Sequence, residues 1–278
     1  MSTQPVWKER IVILPDTNSW QQNDISFFDG LTLEADEEPD LAGQNAIITI
    51  KGNVNKTINV SLSDIDMNGN QKTGGIFTEH AFLSTTNCSI DKGTTSDGED
   101  SGRTGGGIFL GTGTEAHLNN MTIVDCQGKG AGLLSMDNAS CILSGKLSYS
   151  YYSRAIWLKN RSYLTFTGEL VNCTNAGGVS IDIDSSMEMK GNIKDCGVNG
   201  SGGAVDNDGT FELTGDIQGC YSTVTSHNPS QQDHSGGAIR TRPHGKTTMT
   251  GNIIKCNSSY LGGGGVIYRF WWSNVPNR

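Results

Sequence analysis

The sequence predicts an all-β chain: a single-stranded, right-handed parallel β-helix, or solenoid, of about eight 23–24-residue coils with an N-terminal cap. Three observations carry the prediction. A motif returns at a nearly fixed step, apolar and polar residues alternate ahead of each copy, and glycine is abundant where proline is scarce.

The motif is cleanest in "GNIKDCGVNGSGGAV", Gly191 to Val205. It recurs as "GELVNCTNAGGVS" (168–180), as "GDIQGC" (215–220) with "SGGAI" (235–239), and as "GNIIKC" (251–256) with "GGGGVI" (262–267). Looser copies are "GKLSYS" (145–150), "MTIVDCQGKGAGLL" (121–134), "NCSID" (87–91) with "GGGIF" (105–109), and "DIDMNGNQKTGGIF" (64–77). With the aliphatic position as ruler, the copies fall at Ile65, Cys88, Ile123, Leu147, Leu170, Ile193, Ile217 and Ile253. The steps are 23, 35, 24, 23, 23, 24 and 36. The two long steps place insertions near 92–103 and 221–234, in the same slot between the cysteine position and the glycine pair. A solenoid tolerates insertions in one slot because that slot is a loop on one side of the rod. Leucine-rich repeats share the period, but their leucine and asparagine framework is not present.

Within each coil the pattern reads as strand. Cys141-x-Leu143, Leu164-x-Phe166, Met187-x-Met189 and Phe211-x-Leu213 have the period of two that buries one face of a strand. The aliphatic residue and the cysteine stand three apart, so the chain must bend between them if both are buried. The Gly-Gly pair marks a further corner, where a side chain would not fit. Stacked at the ordinary strand spacing, eight coils make a rod of roughly 40 Å.

Stacking also turns equivalent positions into ladders. The cysteine ladder is expected to read Asn68, Asp91, Cys126, Ser150, Cys173, Cys196, Cys220 and Cys256. Cys88 falls in the aliphatic column, and Cys141 aligns with Met187 and Phe211. All seven cysteines therefore read as core residues. Their odd number and spacing do not make a disulfide framework, and no CxxC or Cys/His spacing suggests zinc. A vertical Cys173–Cys196 bridge is the one disulfide that stacked strands would allow.

Composition sets the outer limits. The chain has 37 glycines and 6 prolines among 278 residues, which excludes collagen and a proline-rich linker. A net charge of −9 argues against a nucleic-acid partner. No apolar run is long enough for a transmembrane helix. The first residues lack a secretory signal pattern, so the chain reads as either not exported by that route or an excised piece.

The glycine motif resembles the repeats of the chlamydial polymorphic membrane proteins, autotransporter-type surface adhesins whose passengers carry many GGA[ILV] and FxxN repeats. Residues 202–205 ("GGAV") and 236–239 ("GGAI") match the first motif; 74–77 ("GGIF"), 177–180 ("GGVS") and 264–267 ("GGVI") are near copies. No literal FxxN occurs; the nearest form is Ile65-Asp66-Met67-Asn68, and later copies put cysteine in the asparagine position. The resemblance spans about residues 58–268. It implies a surface-displayed β-helical passenger, outside the cell or at the outer membrane, that adheres to a protein or glycan of a host or neighbouring cell.

The domain reading is a cap and irregular first coil over 1–57, the β-helix over 58–268, and a C-terminal cap or truncated next coil over 269–278. Trp271 and Trp272 in that last stretch suit an end cover, a cut repeat or an aromatic docking contact. Loops on a rigid scaffold are common recognition sites. Here they offer Asp97, Glu99 and Asp100 in the first insertion and His227, Asp233 and His234 in the second, although the bland reading is a solvated polar loop. No cofactor or metal site is called for.

A mixed strip follows the Gly-Gly corners. Counting three residues on gives Thr78, Leu110, Ser135, Trp157, Ile181, Asp206, Arg240 and Tyr268. If the residue before each faces in, this column faces out, and Trp157, Ile181, Asp206, Arg240 and Tyr268 become a candidate surface for protein or glycan. The same count sets Arg240 above Asp206 and Arg242 above Asp208. Those four are the candidates for an alternative reading, a polysaccharide lyase or glycoside hydrolase on a β-helix, since paired carboxylates beside a base suit such chemistry. Opposite charges on adjacent strands equally make a salt-bridge ladder. A third reading is a structural spacer in a fibre or repeat array.

Overall fold

The computed structural model describes residues 46–52, 54–55, 57–95, 105–128, 130–151, 153–174, 177–200, 202–223, 236–259 and 266–269, with four short strands before them, Val6–Trp7, Ile11–Ile13, Ile25–Phe27 and Thr32–Glu34. These residues are all-β with no helix, and their parallel strands stack as a β-solenoid of about seven turns of about 24 residues. The aromatic pair Trp271/Trp272 and most of both insertions lie outside the described residues.

The strands fall on three faces, the third of them supplied by only some of the coils. The longest face is a 15-stranded sheet built from segments such as Glu115–Val124, Ser140–Ser148, Tyr163–Val171 and Ser186–Lys194. A second face of ten strands follows the glycine pairs; it includes Gly74–Glu79, Ile108–Leu110, Ala131–Asp137, Arg154–Lys159, Val179–Ile181, Val205–Asn207 and Ile239–Thr241. Short strands such as Gly197–Asn199, Tyr221–Thr223 and Asn257–Ser258 form the third. The pairing continues into the first 57 residues: Ile25–Phe27 pairs with Ile58–Ser63, and Ile11–Ile13 with Ala46–Lys51.

The bend between aliphatic residue and cysteine is a single left-handed residue. Asp125, Tyr149, Asn172, Asp195 and Lys255 all have φ between 52° and 57° there. One such residue turns the chain enough for Leu170 and Cys173, three apart, both to be fully buried. The long strands bend earlier too, at an inward position held by Gly145, Gly168, Gly191, Gly215 and Gly251, with φ of 135–151°. A Cβ on Gly168 would lie 1.9 Å from the Gly145 carbonyl oxygen, so glycine is the only residue the stack admits.

The earlier coils solve that bend differently. Asp64, Asn87 and Asn120 take left-handed φ of 50–55° and join in a side-chain ladder: Asn87 Nδ2 donates to Asp64 Oδ1 (3.0 Å) and Asn120 Nδ2 to Asn87 Oδ1 (2.9 Å). Buried Ile65, Cys88 and Met121 then fill the slot that glycine empties in later coils. This corrects the sequence ruler. Ile65 and Cys88 belong to the glycine column, and the aliphatic column here holds Met67 and Ile90, which pair in register with each other, with Leu33 before them and with Ile123 after. The cysteine ladder moves with it. The Gly93 N–H donates to Cys126 Sγ (3.3 Å), and the Thr94 N–H bonds Thr73 O (2.8 Å) as the Gln127 N–H bonds Gly93 O (2.8 Å), so Thr73 and Gly93 stand where Asn68 and Asp91 were expected.

From Cys126 onward the ladder is as expected. The backbone bonds Gly197 N–H to Cys173 O (2.8 Å), Tyr221 N–H to Cys196 O (3.0 Å) and Asn257 N–H to Cys220 O (3.0 Å) tie successive rungs. Cys141 pairs with Leu164, which pairs with Met187 and then Phe211. All seven cysteines are free thiols, six of them buried, and no Cys173–Cys196 bridge forms.

Candidate functional site

Parallel pairing on the second face sets the strip. In register with one another stand Phe77, Phe109, Ser135, Trp157, Ser180, Asp206, Arg240 and Tyr268. Trp157, Asp206, Arg240 and Tyr268 are thus in one column, as the sequence expects; the Tyr268 side chain lies outside the described residues. Ile181 is not among them. It is 1% exposed, one position further in, and Ser180 takes its place. Thr78 and Leu110 likewise point inward, while Phe77 and Phe109 stack with ring centroids 5.0 Å apart in a small cluster separate from the main core. The cause is a variable count after the glycines. In "GGVS" and "GGIF" the first apolar residue takes the inward slot, whereas in "GGAV" and "GGAI" the second does.

The strip is not an exposed surface of loose charges. Asp206 is 3% exposed and receives three guanidinium groups. Arg242 donates through Nε to Oδ1 (2.9 Å) and through Nη2 to Oδ2 (2.6 Å), a bidentate clamp. Arg154 Nη2 lies 3.3 Å from Oδ2, and Arg240 Nε 3.9 Å from Oδ1. Arg154 comes from two coils away. Its side chain crosses Gly177, where a Cβ would meet Nη1 at 2.4 Å, and Nη1 donates to Gly202 O (2.9 Å). Burial and the charges of Arg242 and Arg240 draw the Arg154 guanidinium below its usual range against the pull of Asp206. The hydrogen bond to Asp206 raises that of Arg242.

Beside this knot, Trp157 is half-buried. Its Nε1 donates to Asp182 Oδ1 (3.0 Å), and Lys159 Nζ sits 4.7 Å from the ring centroid. Burial pushes the Asp182 carboxyl above its ordinary range, although the Trp157 hydrogen bond and the charges of Lys159 and Arg242 oppose it. Asp208 does not carry Arg242 as the sequence count proposes. It accepts from the His244 backbone N–H and lies 3.2 Å from His244 Nδ1, because Arg242 leans back to Asp206. Sequence counting therefore found the Asp206–Arg240 pair and the carboxylate of Asp182 beside it, and missed Arg154 and Lys159, which reach the strip from other columns or other coils.

A second feature lies at the corners that follow the second face. Leu110 pairs with Met136 and Glu115 with Ser140, so the corner of residues 111–114 faces the shorter corner 137–139. The next coils return to longer corners, 159–162 and 182–185. A short corner between long ones leaves a notch of about 350 Å³, lined by Thr112, Asp137, Asn138, Asn160, Arg161, Ile183 and Asp184. Asn138, Asn160, Arg161 and Asp184 all have left-handed φ of 52–64°. Asn160 Nδ2 donates to Asp137 Oδ1 (2.7 Å). The sequence signal was present in the corner lengths, but it is readable only once register is known.

Among the described residues, no group of three or more His, Cys, Asp or Glu side chains is placed to hold a metal ion, and no helix is long and apolar enough to cross a membrane. The acidic residues 97, 99 and 100 and the set His227, Asp233 and His234 lie outside those residues. Comparison with protein-family models, with curated proteins and with solved structures finds no match for this chain.

Proposed function

We propose that this chain is a binding module, the β-helical passenger portion of a surface-displayed adhesin that engages a protein or glycan on a host or neighbouring cell. The observation that carries this reading is the state of Asp206. A carboxylate clamped by Arg242 and faced by Arg154 and Arg240 has its oxygens occupied, and arginine stays protonated at any pH where the fold survives. That arrangement suits rigidity and takes Asp206 and its arginines out of acid–base use. The glycine motifs that resemble chlamydial passengers point the same way.

The test is direct. Fluorescently labelled chain should bind cultured epithelial cells saturably and be displaced by unlabelled chain. Incubation with polygalacturonate should release neither reducing ends nor unsaturated product. Product release that disappears in Asp206→Asn would replace this reading with the enzymatic one.

A further inference from the structure

We infer that the corner notch is a binding site for a neutral pyranose unit, the terminal or internal sugar of an uncharged glycan. The site deepens the adhesin reading and rests on it for its biological setting. Its chemistry stands on the residues themselves. The notch differs from the Asp206 knot in what its side chains are doing. Arg161 and Asp184 line the same space, yet neither makes a hydrogen bond or ion pair with any described residue. The strip has spent its polar groups on one another; in the notch only Asn160 and Asp137 are so paired among the described residues.

The lining matches what a sugar ring requires. Vicinal hydroxyls are each donor and acceptor, and planar carboxylate, amide and guanidinium groups meet such pairs two bonds at a time. The hydrogen-bonded Asp137–Asn160 pair presents an acceptor and a donor side by side, Asp184 supplies a second acceptor, and Arg161 a fork of donors. Ile183 is 48% exposed at the rim, an apolar surface for the C–H face of the ring. Two carboxylates against one guanidinium leave the notch net negative, as is the whole chain at −9, so uronic or sulfated polymers are repelled. The left-handed corners that hold Asn160, Arg161 and Asp184 are fixed by the stacked strands on both sides, so the backbone that carries these groups is set before a ligand arrives.

Saturation-transfer NMR tests this with the full chain and four probes: methyl α-mannoside, methyl β-galactoside, methyl β-glucoside and N-acetylglucosamine. The expected result is transfer to at least one, weakened tenfold or more by Asp184→Asn and by Arg161→Asn and unchanged by Glu188→Gln on the long sheet. Asparagine tolerates left-handed φ, so both notch variants keep their corners, and matching circular dichroism with the parent verifies it. Transfer to none of the four, equal transfer in both notch variants, or preferential binding of a heparin oligosaccharide overturns the inference. Cell binding is scored apart. Cell binding without sugar transfer overturns the notch and leaves the adhesin reading standing; sugar transfer without cell binding supports the notch and sinks that reading.

Discussion

Asp206 shows how a single side chain can be fixed by residues far from it in sequence. Arg154 is 52 positions away and reaches it only because Gly177 leaves the path open. Removing the carboxylate strands three guanidinium groups at a largely buried point. Asp206→Ala should therefore cost about 3–5 kcal/mol in urea unfolding, the range for a buried ion pair that loses one partner. Asp182 makes the opposite case. Its folded pKa is raised, so the fold favours the protonated acid, and its contribution is present below the unfolded pKa and lost as pH rises through the folded one. At pH 7 the ionised carboxylate is a burden. Asp182→Asn, which can still accept from Trp157, should raise the melting temperature at pH 7 and leave it unchanged near pH 3. At this scale the sequence was readable only along one column. Counting paired Asp206 with Arg240, but it misplaced Ile181, because the number of residues between Gly-Gly and the inward slot varies from coil to coil.

Ladders decide the behaviour of elements. The glycine ladder admits no side chain: alanine at Gly168 combines a φ of 151° with a 1.9 Å approach to a carbonyl. Gly168→Ala should destabilise on the order of 3 kcal/mol, measured by thermal or chemical unfolding. The cysteine ladder is held by thiols that hydrogen-bond along the stack, and these bonds and burial push Cys196, Cys220 and Cys256 up, while burial, helped by the charges of Asp91 and Asp125, takes Cys126 up to about 12. The fold thus keeps protons that an unfolded thiol releases near pH ~8.5. Stability should be constant below that value and fall as pH rises towards 12, and a thiol reagent at neutral pH should label the native chain far more slowly than the unfolded one. Ladders from Cys126 onward were legible because glycine, aliphatic residue and cysteine recur at identical spacing. The first coils were misread by two residues because Ile65 and Cys88 occupy the slot glycine takes later. An asparagine ladder does there what glycine does afterwards, and the two devices look nothing alike in sequence.

The molecule as a whole is a one-dimensional stack in which each coil is bound chiefly to the one before and the one after. That regularity is why the architecture could be read from a repeat, whereas the notch, which depends on one corner being a residue shorter than its neighbours, could not. The aliphatic column also sets how the stack would come apart. In register it runs Trp7, Leu33, Met67, Ile90, Ile123, Leu147, Leu170, Ile193, Ile217 and Ile253, so neighbouring coils hold unequal lengths of chain. Pulled from its two ends, such a rod should peel coil by coil. Each ordinary coil releases roughly 80–90 Å of extended chain, and the three long ones, from Leu33 to Met67, from Ile90 to Ile123 and from Ile217 to Ile253, release roughly 110–130 Å. A force–extension trace of this protein would therefore be an uneven staircase with three tall treads, two close together towards the N-terminal end and one at the other, and the order of those treads would report from which end the rod gives way.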